Sequence, residues 1–510
     1  MFTSSDEKEV KQHPVDSSSL APSFGQGVTD STIAQEVLTS ESDLKAEAAA
    51  EAKLRLKIDL YIIPPVTLLY LFCFIDRANI GNARIAGLGE DLNLKGYDYN
   101  IILTAFYISY IIFEIPSNIL CKLIGPGWFI PGLSLAFGII SLCTAFVNTT
   151  AQACGVRFLL GVFEAGMMPG VTYYMSRWYR RSELAFRLSF YIAMGPVGGA
   201  FGGLLASGIF KLDSVGSIRS WRMLFVIEGI ITIGLALLGF LTMTDRPETA
   251  RWLSPAEKAL AAKRVMSERV GTTEVLDKID MKKTSRGILN PTTITTGFIF
   301  LLTNITVQGL GFFAPTIIKT IYPLDSLVSQ QLHTVPPYVV GTVFTIGIPL
   351  LSWRFDNRNI FIMLSAPLVI VGYIMFLATT NPQVRYAATF FIASGAFANG
   401  ALCNAQVSAN VVSDTARSSA IGVNVMMGNI GGLIATWSFL PFDAPNYPIG
   451  NGLNLATSTT ILITALVLMI WMRLDNKQRS KADAEAVLHG LSQKEIQDLD
   501  WRHPEFKWKP

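Results

Sequence analysis

From Lys57 onward the chain alternates long apolar runs with short polar breaks, and each run is long enough to cross a bilayer. About twelve such runs occur, near 58–80, 99–122, 128–147, 151–175, 186–210 and 222–243, then 291–318, 333–352, 359–379, 385–410, 418–440 and 455–474. A segment in hydrocarbon must satisfy its own backbone, so each run is predicted to be an α-helix. Six runs, a hydrophilic stretch rich in Lys and Glu, and six more runs predict an all-α membrane protein of two six-helix bundles. The expected units are an N-terminal bundle over 46–243, a middle loop over 244–290 and a C-terminal bundle over 291–474. Within the middle loop, Ser254-Pro255-Ala256-Glu257 reads as a capping box opening an amphipathic helix. Residues 1–45 are polar and almost free of aromatics, so they are expected to be a disordered tail. Residues 475–510 form a second tail.

Composition sharpens this picture. Of 510 residues, 50% are hydrophobic and only 15% charged, against about 25% charged in soluble chains. The net charge of +3 gives no reason to expect nucleic acid as a partner. Five cysteines lie in or beside apolar runs without metal spacing, and the four histidines are scattered. No P-loop is present, so ATP is not expected to drive the protein. No enzyme constellation, metal or organic cofactor is expected, and the energy source would be an ion gradient. The first apolar run is of spanning length and follows a polar tail, so no cleavable leader is expected. Basic residues cluster in Arg177, Arg180, Arg181 and Arg187, in Arg354 and Arg358, and in Arg473, Lys477 and Arg479. These fall on one side of the predicted topology, which places both termini in the cytosol. Lys211 and Arg219 fall on the opposite side, as does Arg84.

The two halves echo each other. Gly195-Pro196-Val197-Gly198-Gly199 and Gly428-Asn429-Ile430-Gly431-Gly432 share their glycine spacing, and Ile115-Pro116 matches Ile348-Pro349 at the same offset. One shared offset is what a duplicated six-helix unit predicts.

Candidate chemistry lies in charges at membrane depth. Each costs about 2.5–3.5 kcal/mol on insertion scales, so intramembrane charge points to function. Asp76 and Arg77 sit at the end of the first run. Arg157 and Glu164 flank Gly161 on one face of the fourth. The structural alternative for Arg157 and Glu164 is that they form internal ion pairs or lie at the interface. In the second run Tyr107, Tyr110 and Glu114 lie roughly on one face; packing and substrate contact are both open for the tyrosines. Glu114, just before Pro116, suits a gate or an inter-helix bond. Gly195 and Gly199 belong to a small-residue surface for rocking or for static packing.

At these residues the chain resembles the major facilitator superfamily, and within it the anion:cation symporter family, nearest the fungal allantoate, nicotinate and pantothenate permeases. The motifs are Phe74-Ile75-Asp76-Arg77-Ala78-Asn79-Ile80-Gly81-Asn82-Ala83, Arg157 to Gly170, Trp178-Tyr179-Arg180-Arg181-Ser182-Glu183 and Asp245-Arg246-Pro247-Glu248. The resemblance implies that Asp76 and Glu164 carry coupled protons and that Arg77 and Arg157 bind an organic carboxylate. Asn79, Tyr107, Tyr110 and Asn410 would complete the cargo pocket. Asp356 and Arg358 would belong to the conformational gate. Where relatives show Trp-x-x-Asn-Asn in the tenth span, this chain has Gln406, Ala409 and Asn410. The expected activity is proton-coupled uptake of a small organic anion at the plasma membrane, by a protein acting as a monomer in the lipid bilayer. The alternatives are export of an acidic metabolite and a non-transporting nutrient sensor.

Overall fold

The computed structural model describes residues 30–179, 187, 190–212, 218, 221–267, 281–412, 414–481, 490 and 499–510. Arg180, Arg181, Ser182, Glu183 and Arg219 lie outside them.

The first half contains α1 (Asp30–Ala83), α2 (Asp98–Ile124), α3 (Pro126–Thr144), α4 (Thr150–Glu164), α5 (Met167–Ser176), α6 (Met194–Ile209) and α7 (Trp221–Thr242). The middle loop carries α8 (Pro255–Ser267) and α9 (Met281–Ile288). The second half contains α10 (Pro291–Ile321), α11 (Leu327–Phe355), α12 (Arg358–Ala378), α13 (Pro382–Ala396), α14 (Ala398–Ala409), α15 (Asp414–Ala435) and α16 (Pro448–Arg479). Among the described residues, eleven helical stretches are long and apolar enough to cross a membrane, and Ser419–Ala435 is a shorter apolar helix in the place of the remaining span. The architecture is the twelve-helix, all-α membrane fold.

Helix starts are written locally. Thr149, Ser326 and Asn357 accept hydrogen bonds from the backbone N–H groups of Gln152, Ser329 and Ile360. Asn290 and Asn381 cap α10 and α13, each followed by proline at the first helical position. The middle loop forms its capping box: Ser254 N–H donates to Glu257 at 2.8 Å and Glu257 N–H donates to Ser254 Oγ at 3.3 Å.

Within each half the helices pair closely, α2 with α4, α3 with α7, α10 with α15 and α12 with α16. Across the halves α6 packs on α11 and α2 on α15. Glycine makes one of these approaches possible: a methyl group at Gly161 would overlap Ser109 Oγ and the Phe106 carbonyl of α2.

Three features depart from the sequence expectation. Helix α1 begins at Asp30, inside the segment expected to be disordered; the Ala, Glu and Lys of the following turns are strong helix formers. Residues 1–29 are outside the described region. The fourth span breaks at Ala165–Gly166, just after Glu164, and the tenth breaks at the equivalent Phe397. Residues 499–510 are a packed strap on the C-terminal half. Trp508 is buried and donates its indole N–H to Asp475, while Asn476 bonds both the N–H and the carbonyl of Trp508.

Candidate functional site

Arg77 of α1 is buried. Its Nη2 donates to Glu164 Oε2 at 2.8 Å and its Nε to the same oxygen at 3.2 Å. The guanidinium lies 5.1–5.2 Å from the ring centroids of Phe74, Phe106 and Tyr110. Three aromatic faces and one carboxylate therefore replace the water a buried cation would lose. Arg77 also lines a cavity between the two halves, with Gly195 and Gly199 of α6, Gln308 and Phe312 of α10, and Tyr338 of α11. A charged, aromatic-walled cleft where the two bundles meet can hold an anion against a guanidinium.

The remaining sequence candidates divide by position. Asp76 is buried and accepts from Ser141 Oγ at 2.7 Å, while its Oδ2 has no partner among the described residues. Arg157 is buried over Phe225, with its guanidinium carbon 5.6 Å from the ring, and its Nε and Nη2 have no acceptor among the described residues. It is not among the residues lining the cavity. Asn79 is fully buried and accepts from Asn82 Nδ2 at 3.1 Å. The Tyr107 hydroxyl is buried without a partner. Glu114 accepts from Asn429 Nδ2 at 2.9 Å, which ties α2 to α15 across the bundles. Asp356 caps α11 in the left-handed region and pairs with Arg358 at 2.9 Å; the Arg358 backbone N–H donates to the Pro510 carbonyl.

Asn410 needs reassignment. Its side chain donates to the Lys509 carbonyl at 3.0 Å and accepts from the Lys509 N–H at 2.8 Å. Gln406 Nε2 donates to the same carbonyl. Both amides that stand in the aligned tenth-span motif thus hold the strap, and the Asn410 side chain is fully occupied by backbone rather than turned to cargo.

Two tyrosines meet two glycines across the bundle interface. A methyl group at Gly199 would stand 2.7 Å from Tyr338 Cε1, and one at Gly432 would run into Tyr107. These glycines occupy equivalent places in the duplicated motifs, so each half offers a flat surface to an aromatic ring of the other. At the end carrying the loop after α1, Tyr99 donates to the Phe312 carbonyl, Asn100 to the Thr436 carbonyl and Trp437 to Thr104. Arg84 stacks on Tyr99 at 4.1 Å. The halves are sealed there.

Asp245 clamps the opposite side of the first half. It accepts from the Gly127 N–H at 2.6 Å, and side chains at Gly125 or Gly127 would collide with it. Sequence reasoning missed Glu228 of α7, buried and with both carboxylate oxygens unpartnered. The available signal was a lone acid inside the sixth apolar run. It also missed Gln308 and Tyr338, which no charge marks.

Helices arranged as two bundles around a charged central cavity define a multi-pass membrane transporter. A profile of the Major Facilitator Superfamily matches residues 66–436. An uncharacterized transporter of Schizosaccharomyces pombe is 32% identical over 435 residues, 85% of this chain and 89% of its own. The MFS transporter prlL of a fungal species is 34% identical over 87% of this chain and 90% of its own. In three dimensions the chain is similar to a bacterial homolog of the human lysosomal transporter Spinster in an inward-facing, unoccupied conformation. The TM-score is 0.59 at 17% identity, over 80% of this chain and 94% of that one. The chain belongs to the Major Facilitator Superfamily, whose members are transporters and not enzymes.

Proposed function

We propose that this transporter takes up a small organic anion together with protons, by alternating access of a central site. The observation that carries this reading is the Arg77–Glu164 ion pair on the wall of the inter-bundle cavity. A carboxylate entering the cavity competes with Glu164 for one guanidinium. While Glu164 is ionised, Arg77 is neutralised and cargo binds weakly. When Glu164 takes up a proton its charge disappears, and Arg77 is left to pair with the carboxylate of the cargo. Proton and anion then enter together because neither leaves the buried site electrically balanced alone. Asp76 is the second proton-carrying acid.

The sealed end at Tyr99, Asn100 and Thr436 supports alternating access, since a cavity closed at one end must open there to complete a cycle. The tyrosine-on-glycine contacts are the surfaces that would rock. The resemblance to the anion:cation symporter family supports the anion and proton assignments, and the basic loops support cytosolic termini; in this reading the protein sits in the plasma membrane. The protein acts as a monomer in this reading.

The test is uptake into proteoliposomes of radiolabelled nicotinate, pantothenate and allantoate, beside one neutral and one cationic solute, with and without an inward proton gradient. Accumulation of one of them that depends on the gradient is expected. Uptake indifferent to the gradient would remove proton coupling, and accumulation of only neutral or cationic solutes would remove the anion.

A further inference from the structure

Glu228 lies on α7, one helical turn after Phe225, and is 1% exposed. Among the described residues, nothing donates a hydrogen bond to either of its carboxylate oxygens. Arg157 of α4 stacks on that same Phe225, and its Nε and Nη2 have no acceptor among the described residues. Next to Glu228, Gly229 packs on α3: a methyl group there would stand 2.8 Å from the Leu142 nitrogen and 3.0 Å from the Gly138 carbonyl oxygen. Leu142 follows Ser141, whose hydroxyl holds Asp76. Helices α1, α3, α4 and α7 thus bring two acids and one guanidinium together. The charged side chains around Glu228 are Asp76 and Arg157, and the Arg77–Glu164 ion pair, neutral as a unit, stands beyond them against Asp76 and Arg157. Glu228, Asp76 and Arg157 do not line the inter-bundle cavity.

We propose that Glu228 is a proton-binding site, sharing a single proton with Asp76 under the one positive charge of Arg157. With both acids ionised the cluster carries a net negative charge without enough donors to hold it, a costly arrangement away from water. With one proton bound it is neutral: Asp76 is the carboxylate opposite Arg157, and Glu228 is a neutral carboxyl group that needs no counter-charge. When Asp76 accepts a proton from solution, the Glu228 O–H bond breaks and its proton passes to solution, the electron pair staying on Glu228 as the carboxylate that balances Arg157. The number of protons in the cluster is then unchanged before and after the exchange. The purpose of this relay rests on the proton-coupled transport proposed above; the protonation of Glu228 itself does not.

Infrared spectroscopy of the purified full-length protein in lipid bilayers at neutral pH tests the proposal without cargo or gradient, so its outcome is separate from that of the uptake assay. The protein is expected to show a protonated-carboxyl stretching band that Glu228→Gln removes and Glu164→Gln leaves in place. Asp76→Asn is also expected to remove it, because Glu228 must then ionise to balance Arg157. A merely structural Glu228 would not respond to a substitution at Asp76, and this second variant answers if Glu228→Gln cannot be purified. A band that survives either substitution would overturn the proposal.

Discussion

Arg77 Nη2 lies 2.8 Å from Glu164 Oε2, joining the first membrane helix to the fourth at the point where the fourth span breaks. Each partner is the other's principal charge contact. The same guanidinium is the positive group lining the central cavity, so what loosens Glu164 makes Arg77 available to an anion.

Removing one member of this pair leaves a buried charge alone. Arg77→Ala is expected to destabilise the protein by about 3–5 kcal/mol. Arg77→Ala combined with Glu164→Gln is expected to recover part of that loss. Thermal unfolding of the two variants in detergent checks this. With Glu164→Gln measured beside them, a double variant whose loss equals the sum of the two single losses would mean that the pair contributes no coupling energy.

The glycine–tyrosine contacts are predicted to set the closing of the bundles. Gly199→Ala pushes a methyl group against the Tyr338 ring, an overpacking that costs about 1–3 kcal/mol in the packed state. Uptake should slow, and accessibility of an introduced cysteine at the sealed end should rise. Tyr338→Ala in the Gly199→Ala background should restore sealing, because the collision partner is gone.

Asn410 is expected to matter for stability and not for affinity. Asn410→Ala breaks two bonds to Lys509, at about 0.5–1.5 kcal/mol each. Trp508→Ala empties the pocket beside Leu468 and Met472 and should cost about 3–5 kcal/mol. Melting temperature should fall in both variants while the Kd for the transported anion stays unchanged. A rise in Kd with Asn410→Ala would return that residue to the cargo site.

Outside the membrane, Lys57 donates to Glu257 at 2.8 Å and ties α8 to the first half. This hydrogen bond, with help from the Ser254 N–H, holds the Glu257 carboxyl below the usual glutamate range. A lowered folded pKa means that the contact stabilises above the unfolded value, about 4.3, and is lost as pH falls through the folded one. A half-exposed pair of this kind is worth about 0.2–1 kcal/mol. Hydrogen exchange in α8 should therefore quicken modestly on acidification below that range, after correction for the intrinsic rate. Lys57→Met should remove the pH dependence.

Most of the fold was legible because hydrocarbon imposes length, apolarity and helical backbone on every span, and these are properties of short windows. Asp76, Arg77, Arg157 and Glu164 stood out for the same reason: charge is conspicuous in an apolar run. Their division of labour was not legible. Arg77 lines the cavity while Arg157 faces Asp76 and Phe225, a difference set by how α1 and α4 rotate against their neighbours. Asn410 misled because a motif position carries no record of a strap folding back from a hundred residues away. Glu228 was visible in principle, as one acid among apolar neighbours, but it lacked the adjacent base that marks Asp76. Tyr338 and Gln308 reach the cavity through helix packing alone, and no local pattern separates them from ordinary core residues.

The most direct measurement is gradient-driven uptake by Glu164→Gln in proteoliposomes, beside counterflow exchange of the same labelled carboxylate. Glutamine stands in for the protonated acid and leaves Arg77 permanently open to an anion. The expected result is that exchange persists while accumulation against a concentration gradient is lost. Accumulation at the unmodified rate in Glu164→Gln would contradict the claim that Glu164 couples the proton to the anion through Arg77.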